Sequence, residues 1–117
     1  MKTIRQRGRH GDLAITRLVE IPSDIARLDT TILMAGEATG HNHEIISYEP
    51  GQIEIFEATR MTGARLMEKI KYLQVKYGSV ILTHPEHKEI SVTEGFYSVT
   101  IEKEFDPFLK YYPQVRD

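Results

Sequence analysis

Gly95-Phe96-Tyr97-Ser98-Val99-Thr100-Ile101-Glu102-Lys103-Glu104-Phe105 is the stretch that decides the fold. In an extended chain Tyr97, Val99, Ile101 and Phe105 face one way, Ser98, Thr100, Glu102 and Glu104 the other, and Lys103 alone breaks the apolar face. Successive side chains of a strand point to opposite faces, so this period of two predicts a half-buried β-strand.

The same reading extends upstream. Thr93-Glu94-Gly95 reads as the turn that introduces this strand, after an extended Lys88-Glu89-Ile90-Ser91-Val92. Before that, Leu73, Val75 and Tyr77 share a side, Gly78 reads as a turn, and Val80-Ile81-Leu82 leads into Thr83-His84-Pro85-Glu86-His87. Glu49-Pro50-Gly51-Gln52 is a turn with a mechanism, proline setting φ and glycine permitting a positive φ, and Ile53, Ile55 and Glu57 then alternate with Glu54 and Phe56. Residues 30–35 and 41–48 read as consecutive strands punctuated by Gly36 and Gly40. After Gly11-Asp12, Leu13, Ile15, Val19 and Ile21 recur at even spacing until Pro22-Ser23-Asp24. Ile25-Ala26-Arg27-Leu28 reads as a connection with at most one helical turn. Residues 58–70 admit a short helix or an elaborated hairpin, and Asp106-Pro107 stops the last strand and can start a final short helix.

Roughly seven or eight short strands with turn signals every eight to twelve residues predict an all-β fold, a small, mainly antiparallel barrel or sandwich with one or two short helices. At 117 residues the chain suits one domain over 1–117, with 1–10 as a basic N-terminal arm and 106–117 as a packed tail. Composition is that of a soluble globular protein, 40% apolar and 27% charged, with 15 basic against 17 acidic residues. The absence of cysteine removes disulfides, thiolate nucleophiles and cysteine-based metal sites, and fits a cytoplasmic setting. Apolar runs are too short to span a bilayer, and the basic N-terminus lacks the apolar region of a signal peptide, so no membrane association is expected.

Chemistry concentrates in two segments, Gly40-His41-Asn42-His43-Glu44 and Thr83-His84-Pro85-Glu86-His87, which hold four of the 5 histidines. Neutral imidazole is a common ligand for zinc, iron and nickel, so His41, His43, His84 and His87 are candidate ligands for one divalent ion, with zinc, iron, nickel or manganese as the metal. Strand parity puts His41 and His43 on one face with Ile45 and turns Glu44 away. Pro85-Glu86 reads as a turn that lets His84 and His87 bend towards one point, with Glu86 as an oxygen donor or general base. The plainer reading has the imidazoles hydrogen-bonding neighbouring strands and His84-Pro85 shaping an exposed turn. Arg5, Arg7 and Arg9, with Lys2 and His10, form a basic run able to meet phosphate or nucleic acid; a net-acidic remainder makes a solvated arm the expectation. No phosphate loop, nucleophile elbow or HExxH helix is present.

Two resemblances follow from these motifs. His41, His43 and His84 resemble the histidines of the cupins, small β-barrel proteins with an HxH pair in a first motif and a further histidine in a second. Ser47 and Tyr48 stand where that family carries glutamate, Glu49 comes one place late, and no Pro-x-Gly precedes His84. The chain more fully resembles a family of small uncharacterised proteins of bacteria and their phages. Gly11-Asp12-Leu13-Ala14, Ala35 to His43, Leu82 to His87, Gly95 to Val99 and Glu104-Phe105-Asp106-Pro107 are similar to its GDV, GEATGHxH, LTHxEH, GxYxV and REYDP motifs, with Phe105 in place of tyrosine. This resemblance implies a compact β domain and carries no activity with it.

Two functions are therefore expected as alternatives. One is a binding or regulatory accessory module, phage or mobile-element encoded, that meets a protein partner or a second copy of itself through a sheet edge or loop. The other is a cupin-like metal-dependent enzyme that activates water or oxygen at its histidine cluster.

Overall fold

Two strands far longer than the usual three to ten residues organise the domain, and positive-φ glycines bend them without ending them. The computed structural model describes residues 1–23, 25–35, 42–46, 48–61 and 67–101. Its strands are β1 (Lys2–Ile4), β2 (Arg7–His10), β3 (Leu13–Leu18), β4 (Ala26–Leu28), β5 (Ile32–Ala35), β6 (Asn42–Ile46), β7 (Ile53–Met61), β8 (Met67–His84) and β9 (His87–Ile101). β8 and β9 are 18 and 15 residues long and pair with each other as one hairpin.

Midway along this hairpin the register shifts. Val75 is opposite Gly95 and Ser79 opposite Thr93, so Lys76, Tyr77 and Gly78 face Glu94 alone. Gly78 at φ 67° and Gly95 at φ 147° adopt backbone conformations costly for other residues. Gln52 secures the bulge: its side-chain amide donates to Tyr77 O at 2.8 Å while its side-chain oxygen accepts the Glu49 N–H at 2.8 Å. Lys76 N–H donates to Gln52 O at 2.8 Å.

The bend lets each long strand serve different neighbours along its length. β9 pairs with β1 over Ile90–Val92, in parallel, and with β3 over Phe96–Ile101. β8 pairs with β7 over Met67–Val75 and with β6 over Ile81–Thr83. β2 adds to β3, β4 to β7 and β5 to β6, and the sheet curls into a half-barrel, antiparallel except at β1. Leu13 and Ile15, Ile45, Ile55, Leu73, Val80, Leu82, Tyr97 and Val99 fill its concave side. Each such side chain stabilises the fold by about 1.5–3 kcal/mol through removal from water. The Tyr97 hydroxyl stays satisfied by donating to Thr93 O at 2.8 Å.

The all-β expectation holds, and the described residues contain no helix. Four local expectations are corrected. Residues 25–28 do not form a helical turn: Ala26–Leu28 pairs with β7 as a strand. Gly78 and Gly95 are bends within strands, because a bulge needs the same positive φ that a turn does. The even apolar spacing from Leu13 overruns its strand: β3 ends at Leu18 and Val19 is 96% exposed. Finally, residues 1–10 are not a loose arm, since β1 and β2 pair with β9 and β3 and Ile4 joins the core, while the basic side chains face solvent.

Of the two readings of residues 58–70, the hairpin fits: β7 and β8 remain in register to Met61 opposite Met67, while residues 62–66 lie outside the described residues. The expected C-terminal helix and the tail at 106–117 also lie outside them. No helix among the described residues is long and apolar enough to cross a membrane.

Candidate metal centre

Alternation along β2 sets the first side chain of the site. Arg7 and Arg9 point to solvent, while Gly8 and His10 are buried. Gly11, at φ 63°, reverses the chain and brings the 4%-exposed Asp12 back beneath the turn before Leu13 opens β3. In β6 the same alternation buries His43 with Ile45 and turns Glu44 away, where its carboxylate accepts the Thr31 hydroxyl at 2.7 Å. His84 ends β8 and His87 starts β9, paired across the two-residue turn Pro85-Glu86. Strand register thus brings His10, His43, His84 and His87 to one end of the half-barrel.

Their rings form one cluster. Centroids are 4.4 Å apart for His43 and His84, 4.6 Å for His84 and His87, 4.9 Å for His10 and His43, and 5.9 Å for His43 and His87. His10 lies 6.3 Å from His84 and 5.7 Å from His87. With metal–nitrogen bonds near 2.0–2.1 Å, a shared ion sits about 3 Å from each ring centre, so rings within about 6–6.5 Å can share one. All six separations meet that limit.

Hydrogen bonds nevertheless aim the nitrogens in different directions. His10 Nε2 is 2.9 Å from Lys88 O, and His10 Nδ1 is 2.9 Å from His43 Nδ1. His43 Nε2 lies 3.3 Å from Asp12 Oδ1, an ion-pair distance without hydrogen-bond geometry. The Glu86 N–H donates to His84 Nδ1 at 3.0 Å, which places the proton of a neutral His84 on its buried Nε2. Accordingly, no group of three or more described histidine, aspartate or glutamate side chains has donor atoms gathered for an ion as they stand. The pair that does converge is Nδ1 of His10 with Nδ1 of His43.

Of the candidate ligands read from sequence, His43, His84 and His87 come together, and His41 lies outside the described residues. Glu86 is exposed and enters the cluster through its backbone N–H. Arg5, Arg7 and Arg9 lie on the solvent side of the β1–β2 segment, opposite in strand parity to His10. His10 and Asp12 were not among the expected ligands. Their signal was the alternation of Arg7-Gly8-Arg9-His10, which sends His10 inward once residues 7–10 are read as a strand. A cleft of about 870 Å³ elsewhere on the sheet, lined by residues that include Leu18, Ile21, Tyr72 and Ser98, contains no histidine among the described residues.

The clustered residues, from His10 in β2 to His87 in β9, fall within residues 9–102, which match a family model described as Domain of unknown function (DUF8820). The chain belongs to this family. The DUF8820 region starts one residue before His10, so it contains Asp12 and all four clustered imidazoles. No curated protein and no solved structure matches the chain.

Proposed function

We propose that the domain is a small accessory module that binds one divalent transition-metal ion through Nδ1 of His10 and Nδ1 of His43, with His84 or His87 turning in as a further ligand. The 2.9 Å approach of those two nitrogens carries the reading. A carbonyl oxygen only accepts, so the contact with Lys88 O puts a proton on His10 Nε2. The Asp12 carboxylate, 3.3 Å from His43 Nε2, favours a proton on that nitrogen through its charge. Two neutral rings so protonated aim lone pairs at each other, and the gap then requires a positive species. Without metal that species is one shared proton, whose charge Asp12 balances. A metal ion with bonds near 2.0–2.1 Å needs these nitrogens about 3.3 Å apart, so it replaces the proton once the rings part by about half an ångström, and both rings already hold the tautomer that Nδ1 coordination needs.

The chemistry of the set narrows the ion. Neutral imidazole suits zinc, nickel, iron and copper, whereas manganese prefers oxygen donors, so zinc, nickel and iron lead. Burial favours a binding or structural role over a catalytic one, since a catalytic site keeps a position open to water. His43 is 0% exposed and His10 and His84 are 3% exposed. The similarity to small phage and bacterial proteins supports an accessory role, in which the end strands β2 and β5 offer pairing edges to a protein partner or a second copy.

Metal analysis of tag-free protein tests the reading. Near-equimolar zinc, nickel or iron is expected, lost in a His10→Ala/His43→Ala variant that remains folded. A folded wild-type protein that takes up none of these ions, even when they are added in excess, would refute it.

A further inference from the structure

The turn that joins β2 to β3 touches the cluster twice, and neither contact is needed to reverse the chain. Asp12 is 4% exposed, and its Oδ1 lies 3.3 Å from Nε2 of His43, the nitrogen that does not face His10. Gly11 packs on His87: a Cβ built there would lie 2.5 Å from His87 Nε2 and 2.7 Å from its Cδ2. The turn therefore sets a carboxylate against the outer nitrogen of one imidazole and leaves a slot for the edge of another.

We infer that Gly11-Asp12 is the positioning element of the metal centre: Asp12 selects the nitrogen that His43 presents to the ion, and Gly11 admits His87 to the cluster. This rests on the metal-binding reading above. The physical argument concerns ring choice. An imidazole has two chemically similar nitrogens, and a ring turned over would move the lone pair of His43 away from His10. A carboxylate on Nε2–H opposes that turn and makes Nδ1 a stronger donor by drawing on the proton of the opposite nitrogen. Lys88 O does the same for His10 through its backbone, which no side-chain substitution removes. Asp12 is thus the outer partner that mutation can address. At Gly11 a methyl group meets the tip of a side chain, so it displaces the His87 ring more readily than it disrupts the sheet.

The test uses cobalt(II) as a coloured probe, titrated into full-length wild type and into Asp12→Asn, Asp12→Ala and Gly11→Ala. Asp12→Ala is expected to weaken cobalt binding by about 10–100-fold, the usual effect of losing an outer-shell partner. Asp12→Asn, which can still accept from Nε2–H, is expected to recover part of that loss. Gly11→Ala is expected to change the intensity and position of the cobalt visible bands, because the ligand field changes when His87 moves. Thermal melts of the metal-free variants identify any that do not fold; in place of an unfolded Asp12→Ala the same titration uses Asp12→Ser, which also removes the carboxylate, and in place of an unfolded Gly11→Ala it uses His87→Gln, which removes the ring that Gly11 admits. If wild type binds no cobalt, the metal-binding reading fails. If it binds and the folded variants bind with unchanged affinity and spectrum, the positioning role of the turn alone is overturned.

Discussion

Nδ1 of His10 and Nδ1 of His43 face each other at 2.9 Å although 33 positions separate them in the chain. Nothing local holds them there. Pairing of β2 with β3, of β3 with β9, of β9 with β8 and of β8 with β6 sets their approach, so four strand registers meet in one nitrogen–nitrogen distance.

Removing one ring of this pair separates metal binding from stability. In His43→Ala the metal-free protein loses a fully buried ring and leaves the Asp12 carboxylate beside a cavity, at a cost of about 1–3 kcal/mol. Metal affinity falls by more than tenfold in the same variant. Chemical denaturation and metal titration run side by side check both; unchanged stability with unchanged uptake sinks the arrangement.

Metal uptake should release close to one proton. On the metal-binding reading the ion displaces the proton between the two rings, so affinity is expected to fall as the pH falls. Calorimetry in two buffers of different ionisation enthalpy counts the protons released. A count of zero contradicts a proton between the rings.

Gln52 holds the β8 bulge with a buried amide, and Gln52→Ala leaves the Tyr77 carbonyl and the Glu49 N–H without that partner. A loss of about 1–3 kcal/mol is expected, read from the denaturation midpoint. Gly78→Ala places a side chain at φ 67° with its nearest heavy atom, Gln52 Nε2, 3.4 Å away. Its cost is therefore backbone strain, about 1 kcal/mol.

Two apolar truncations should behave in opposite ways. Leu73→Ala opens a cavity in the core where Leu73 is 0% exposed, and about 2–5 kcal/mol is expected to be lost. Val19→Ser, at 96% exposure, should change stability by less than about 0.5 kcal/mol. Thermal melts of both variants check the boundary of β3, and a large loss at Val19 would place it inside the strand.

Strands were legible wherever burial alternates strictly. Tyr97 and Val99, Leu13 and Ile15, and His43 with Ile45 all face the way that a period of two requires. Lengths and ends were not legible. Gly78 and Gly95 look like turns because a bend inside a strand and a reversal between strands require the same backbone freedom, and only the partner strand distinguishes them. Three of the four clustered histidines, His43, His84 and His87, were readable from their spacing. His10 was hidden by the charges beside it, since Arg5, Arg7 and Arg9 suggest a solvated segment, although their odd positions leave the even ones free to be buried. Asp12 looked like turn punctuation, and its contact with His43 exists only once β3 and β6 are in place.

The two-residue turn at Pro85-Glu86 also bears on the order of events during folding. His84 and His87 sit at the tip of a hairpin whose contacts are local, whereas His10 and His43 arrive with strands that must first close long loops. An ion that needs the His10–His43 pair meets its full site only after those strands have docked, the step that closes the longest loops. Bound metal would then leave the refolding rate nearly unchanged and slow unfolding, so that the holo protein persists chiefly through a higher barrier to opening.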